Sequence, residues 1–143
     1  LLSSHELPEK DSKILSATFH VINDIERIGD HAENIADMAI EKMNKEISFG
    51  EEATEEVELM YKKTLEALTL AIESYRNEDS VSAKNISVIE EGIDKYEKKL
   101  RNNNIKRLNG KLCNANSSTM FLDLISNLER IGDHSNNIAE AIM

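Results

Sequence analysis

The chain has 143 residues, 40% of them hydrophobic, and a formal net charge of −10. That size and apolar content suit one ordinary core. The acidic balance speaks against nucleic acid and anionic membrane surfaces, both of which need clustered Lys and Arg, and the lone Cys113 rules out an intrachain disulfide and fits a reducing compartment.

One proline, five glycines and 4% aromatic residues favour an all-α protein. No apolar run approaches the roughly 18 residues of a membrane span, and no signal peptide is evident. The sequence opens on Leu1 and stops at Met143 while its last helical pattern is still running. It reads as a piece of a longer chain, and a neighbouring membrane domain is compatible with it.

The first helix is expected from about Pro8 to Lys45. Pro8 suits a first helical turn, and Glu9 and Asp11 favour its positive end. Ile14, Thr18, Val21, Ile25, Ile28, Ala32, Ile35 and Ala39 alternate fours and threes, the seam a helix offers to partner helices. Ile47-Ser48-Phe49-Gly50 breaks that pattern. A second helix begins in the acidic run Glu51 to Glu56, carries Val57, Met60, Thr64, Leu68, Ala71 and Tyr75 inward, and ends near Arg76-Asn77.

Asp79 or Ser80 is the expected cap of a third helix, since a short side-chain oxygen accepts from first-turn amides. Its seam is Ile86, Ile89, Ile93, Tyr96 and Leu100, and Asn102-Asn103-Asn104 with Asn109-Gly110 mark its end. A loop of Lys111 to Asn116 then leads to a fourth helix capped by Ser117 or Asn116. Its seam is Ser117, Phe121, Leu124, Leu128, Ile131, Ser135, Ile138 and Ile142.

The first and fourth helices carry the same motif. Glu26-Arg27-Ile28-Gly29-Asp30-His31 followed by Asn34-Ile35-Ala36 returns 103 residues later as Glu129-Arg130-Ile131-Gly132-Asp133-His134 followed by Asn137-Ile138-Ala139, an internal duplication. At 100° per residue, Glu26, Asp30, Glu33 and Asp37 form one narrow stripe beside the seam, and Glu129, Asp133, Asn136 and Glu140 repeat it. The third helix has its own stripe, Glu90, Asp94 and Glu97. In all three helices a glycine, Gly29, Gly92 or Gly132, stands between the acids.

Carboxylates at i and i+4 repel each other, so stripes beside a core invite a cation or a basic partner. Two readings follow. The stripes of the first, third and fourth helices face one another and hold hard cations such as Fe(III), Mg(II) or Mn(II), or Zn(II); or they are solvated faces paired with Lys and Arg.

His31 and His134 point roughly 130° away from their stripes and suit helix packing better than ligation. Arg27 and Arg130 also lie off the stripe, free to reach a partner helix or Asp24 and its neighbours. None of the four histidines has a Glu three residues before it, unlike ferritin-like di-iron sites. With no nucleophile beside a base, no phosphate loop and no His/Cys zinc pattern, enzymatic activity finds no support.

The twice-used Glu-Arg-Ile-Gly-Asp-His-x-x-Asn-Ile-Ala resembles the signature of the PhoU family of phosphate-responsive regulators. The resemblance covers about Asp11 to Met143. It implies a bundle of four long antiparallel helices in one domain: residues 1–48 as the motif helix of a truncated first repeat, and 49–143 as a complete three-helix repeat. It also implies carboxylate-ligated iron or zinc clusters, with Glu26, Asp30, Glu129 and Asp133 as the matched acids and Glu90 and Asp94 as their equivalents on the third helix.

The stretch Leu1 to Pro8, with Phe19 to Arg27, is similar to the PhoU-like region at the cytoplasmic end of bacterial Na/phosphate cotransporter-like proteins. The expected function is therefore a non-enzymatic regulatory module coupling phosphate status to transport or signalling. Its partner would be a phosphate transporter's membrane domain or a phosphate-signalling protein. The module would be cytoplasmic, tethered to the membrane where it belongs to such a transporter, and a homodimer where the first helix's seam needs a second chain. The alternatives are a purely structural oligomerisation domain and a metal-dependent enzyme.

Overall fold

The computed structural model describes residues 8–143; the opening segment compared with cotransporter-like proteins lies largely outside them. Four helices follow one another: α1 (Glu9–Asn44), α2 (Glu51–Arg76), α3 (Ser80–Asn109) and α4 (Ala115–Glu140). The all-α architecture agrees with the periodicity, and each boundary falls within a residue or two of its expected place.

Local chemistry sets the ends. Asp79 caps α3, its carboxylate accepting the Ser82 N–H at 3.0 Å and the Ser82 hydroxyl at 2.6 Å. The cap of α4 is Asn114, not Ser117 or Asn116: its side-chain oxygen accepts the Ser117 N–H at 2.8 Å. Ser117 is thereby drawn into the first turn and buried.

Glu46, Glu78 and Lys111 take left-handed φ values of 52°, 51° and 60° just past the ends of α1, α2 and α3. In each case the next amide reaches back into the last turn: Ile47 N–H to Lys42 C=O at 2.9 Å, Asp79 to Ser74 at 2.9 Å and Leu112 to Arg107 at 2.8 Å. The expected glycine at the third of these turns, Gly110, stands one residue too early and keeps an ordinary φ of −82°.

Helices α2, α3 and α4 pack against one another in every pair, whereas α1 packs on α4 alone. The main core holds Met60, Ala67, Ile93, Leu100, Phe121 and Ile125. A second cluster of Ala71, Ala83, Ile86, Ile138 and Ala139 takes in Val21 from α1.

The seam expected on α1 is therefore mostly uncovered. Ile22 and Ile25 are 54% and 56% exposed, while their counterparts in the second motif, Ile125 and Leu128, are 0% and 3% exposed. The reason is topological: α4 has α2 and α3 to cover that face, and among the described residues α1 has no equivalent pair.

A candidate metal centre

The second copy of the motif forms its site with α3. Glu90 and Asp94 lie one helical turn apart on α3, Asp133 comes from α4, and one oxygen of each lies within 4.8 Å of the others. All three side chains are half-buried. Asp94 Oδ1 is sealed from solvent and has no hydrogen-bond partner among the described residues. Nor does any Lys or Arg pair with the trio there: the basic partners go to Glu9, Glu41, Glu52, Glu56 and Glu97.

Electrostatics follow from this crowding. Burial first, then hydrogen bonding and repulsion from Asp133 and Asp94, pushes the Glu90 carboxyl up to about 8. Glu129, one turn before Asp133, is pushed up to about 7 by burial and then by the charges of Asp133, Asp94 and Glu97. The cluster thus needs protons or a cation to offset its charge. An orphaned carboxylate oxygen and converging hard oxygen donors fit a hard metal cation, which Glu90, Asp94 and Asp133 could hold, with Glu129 one turn away on α4.

The motif glycine has a packing reason here. A Cβ on Gly132 would lie 3.2 Å from Ile93 Cδ1, whereas at Gly29 and Gly92 nothing lies within 4 Å. Gly132 lets α3 approach at the level of the acids. The sequence singled out all three glycines, but only this one is crowded.

One expectation is corrected. The stripes of α1, α3 and α4 do not all face one another, because among the described residues the backbone of α1 packs closely on α4 and not on α2 or α3. Glu26 and Asp30 are exposed on α1 and stand outside the trio.

The histidines are packing groups, as their wheel positions indicated. His134 Nδ1 lies 2.9 Å from Asp24 Oδ1, which also accepts from Asn137 Nδ2 at 3.2 Å. His31 Nδ1 lies 2.9 Å from Asn127 Oδ1, which accepts from Asn34 Nδ2 at 3.2 Å. The two imidazoles stack at 5.7 Å. Arg27 and Arg130 are exposed, and Asp24 is taken by His134 and Asn137 instead. This junction was missed in the sequence, although the signal was there: the 103-residue register that relates the motifs also relates Asp24 to Asn127.

A duplicated acidic motif, half of it assembled on a three-helix bundle, is what comparison with known proteins meets. The family model described as "PhoU domain" matches residues 1–39 and 57–142. The chain belongs to the PhoU family. The phosphate-specific transport system accessory protein PhoU homolog 1 of Thermotoga maritima is 31% identical over 121 residues, covering 85% of this chain and 51% of that protein. The PhoU homolog of Clostridium acetobutylicum is 26% identical over 132 residues, covering 92% and 59% respectively.

The chain thus spans little more than half the length of these curated PhoU relatives. The crystal structure of PhoU from Pseudomonas aeruginosa aligns with 99% of this chain and 67% of its own, with a TM-score of 0.90 and 21% identity, which establishes the shared fold.

Proposed function

We propose that this chain is a regulatory module that couples phosphate status to phosphate transport or its signalling, acting by protein contact and not by catalysis. We take Glu90, Asp94 and Asp133, with Glu129 alongside, as the ligands of a structural metal, iron or zinc. The observation that carries the metal reading is the trio of carboxylates within 4.8 Å of one another, with no basic partner among the described residues. The names of the relatives, accessory proteins of a phosphate-specific transport system, support the regulatory half. No described helix is long and apolar enough to cross a membrane. The partner on this reading is a phosphate transporter's membrane domain or a phosphate-signalling protein.

On this reading residues 1–48 end a first repeat and 49–143 form a complete second one. Glu26 and Asp30 become ligands of a second centre once a helix pair like α2 and α3 covers the exposed face of α1. A second chain covering it would make the module a homodimer. In a cotransporter-like parent, the module would sit at the cytoplasmic membrane face.

The test is elemental analysis of protein purified without affinity metals or chelators, run beside Asp94→Asn with Asp133→Asn. Stoichiometric iron or zinc that disappears in the variant, with a chelator-sensitive melting temperature in the parent, supports the proposal. Metal-free parent protein with an unchanged melting temperature in chelator removes the metal. A solvated scaffold, the purely structural alternative, would then be the better description. Release of phosphate from an ester, lost in the same variant, would overturn the non-catalytic half.

A further inference from the structure

A second feature lies away from the acidic trio, where α1 and α2 splay apart over α4. There a groove of about 270 Å³ is lined almost wholly by carbon, including Ile35 and Met38 from α1, Phe49 from the turn between α1 and α2, Val57 from α2, and Leu124 and Leu128 from α4. Its floor is firm, since Leu128 is buried and Phe49 stands edge-on to the buried Phe121 at 5.9 Å. Met38 and Met120 form its end wall, and the same two methionines line an adjoining hollow of about 200 Å³.

The adjoining hollow is polar and acidic. It contains Glu41, whose carboxylate is held by Lys45 at 2.7 Å, and Asp123, whose carboxylate has no ion pair among the described residues. On the groove side Lys42 is turned onto the Phe49 ring at 5.2 Å, while Glu58 stands exposed at the rim. Apolar wall and unpaired acid are thus adjacent, separated by two unbranched side chains that can adapt to a guest. An anionic guest would meet Asp123 and Glu58, and the chain's net charge of −10 opposes it further.

We propose that this groove is a docking site for a segment of a partner protein that places a Leu-, Met- or Phe-sized side chain beside a Lys or Arg. The apolar side chain enters between Ile35 and Leu124, and the cation reaches past Met38 and Met120 to Asp123. This is helix-in-groove recognition with a charge that fixes direction. The site is independent of the metal reading, because none of its lining residues belongs to the acidic trio.

The probe is an amphipathic 14-residue peptide of leucine and lysine, compared with a leucine and glutamate peptide and a serine and lysine peptide. Binding is read on protein carrying carbon-13 methionine methyls. Of the five methionines, Met38 and Met120 line the groove, Met60 is fully buried in the core, and Met43 is 79% exposed near the end of α1. Saturable shifts of Met38 and Met120, with Met60 still, are expected from the leucine and lysine peptide alone.

Asp123→Lys should weaken that binding roughly tenfold, as attraction becomes repulsion, and Ala39→Trp, which fills the groove from an exposed position, should abolish it. Equal binding of the glutamate peptide, shifts at Met43 without Met38 and Met120, or no saturable shift would each overturn the proposal. Because Ala39 and Asp123 are both exposed, an unchanged Met60 signal verifies that each variant is folded.

Discussion

Gly29 and Gly132 hold the same place in the two motifs, yet the structure gives the same substitution opposite signs at the two sites. In a helix interior Ala is favoured over Gly by about 1 kcal/mol. Nothing lies within 4 Å of a Cβ on Gly29, so Gly29→Ala should stabilise the chain by that amount. At Gly132 the new methyl lies 3.2 Å from Ile93 Cδ1 and 3.6 Å from its Cγ2.

Ile93 is wholly buried and β-branched, with little room to withdraw. Overpacking of this kind costs about 1–3 kcal/mol, which outweighs or cancels the helical gain. Gly132→Ala should therefore be about 0–2 kcal/mol destabilising, leaving roughly 1–3 kcal/mol between the two variants. Urea unfolding followed by circular dichroism, with a common m-value, measures both.

Ile93→Val removes the offending Cδ1, and its double-mutant cycle with Gly132→Ala should show about 1 kcal/mol of coupling. If Gly132→Ala stabilised the chain as much as Gly29→Ala, the motif glycine would not be there to admit α3.

The acidic cluster, the turn after α3 and the His134 junction each carry a further prediction. Glu90 and Glu129 titrate at about 8 and about 7, above the ordinary value of 4.5, so the folded apo chain binds more protons than the unfolded one between those limits. Its stability should fall as pH rises from about 4.5 to 8; Glu90→Gln should flatten that slope in melting curves recorded in chelator, and an unaltered slope would refute the assignment. Lys111→Gly should stabilise the chain by about 1 kcal/mol by relieving left-handed strain, read as a higher melting temperature; no gain would mean that Lys111 carries no strain. Replacing His134 with Leu removes a partner of the buried Asp24 and should cost about 1–3 kcal/mol; with Asp24→Asn also present the loss should shrink, and strict additivity would show that the two do not interact.

The helical order was legible because three- and four-residue spacing is a strong signal over helices of 26 to 36 residues. Burial on α1 was not legible. Its seam is as regular as that of α4, and periodicity states which face a helix offers without stating what covers it. Glu90, Asp94 and Asp133, three of the six acids expected as ligands, converge because stripe and seam adjoin on both α3 and α4. The error was to bring the α1 stripe to them, since the wheel holds no information on which helices are neighbours. The Asn114 cap was missed because Asn114, Asn116 and Ser117 all have competent side chains, and the choice among them rests on where the preceding turn releases the chain.

The motif is long because one helix serves two interfaces. On α4, Glu129, Gly132 and Asp133 belong to the side that meets α3, while His134 and Asn137 belong to the side that meets α1. The junction pairs the two motifs reciprocally: Asp24 receives His134 and Asn137, and the equivalent Asn127 receives His31 and Asn34. The two helices therefore meet about an approximate two-fold axis, with the stacked imidazoles near it. Such an arrangement fixes the rotation of each helix about its own axis, because turning one by a single residue would break polar contacts at both ends. Fixing that rotation also fixes where the acids point. On α4 they point at Glu90 and Asp94; on α1 the same constraint holds Glu26 and Asp30 on the face where Ile22, Ile25 and Gly29 are exposed. The His and Asn of the motif thus orient the carboxylate-bearing faces, and because both copies carry them, the same junction that turns the α4 acids toward α3 also sets the direction of the exposed acids on α1.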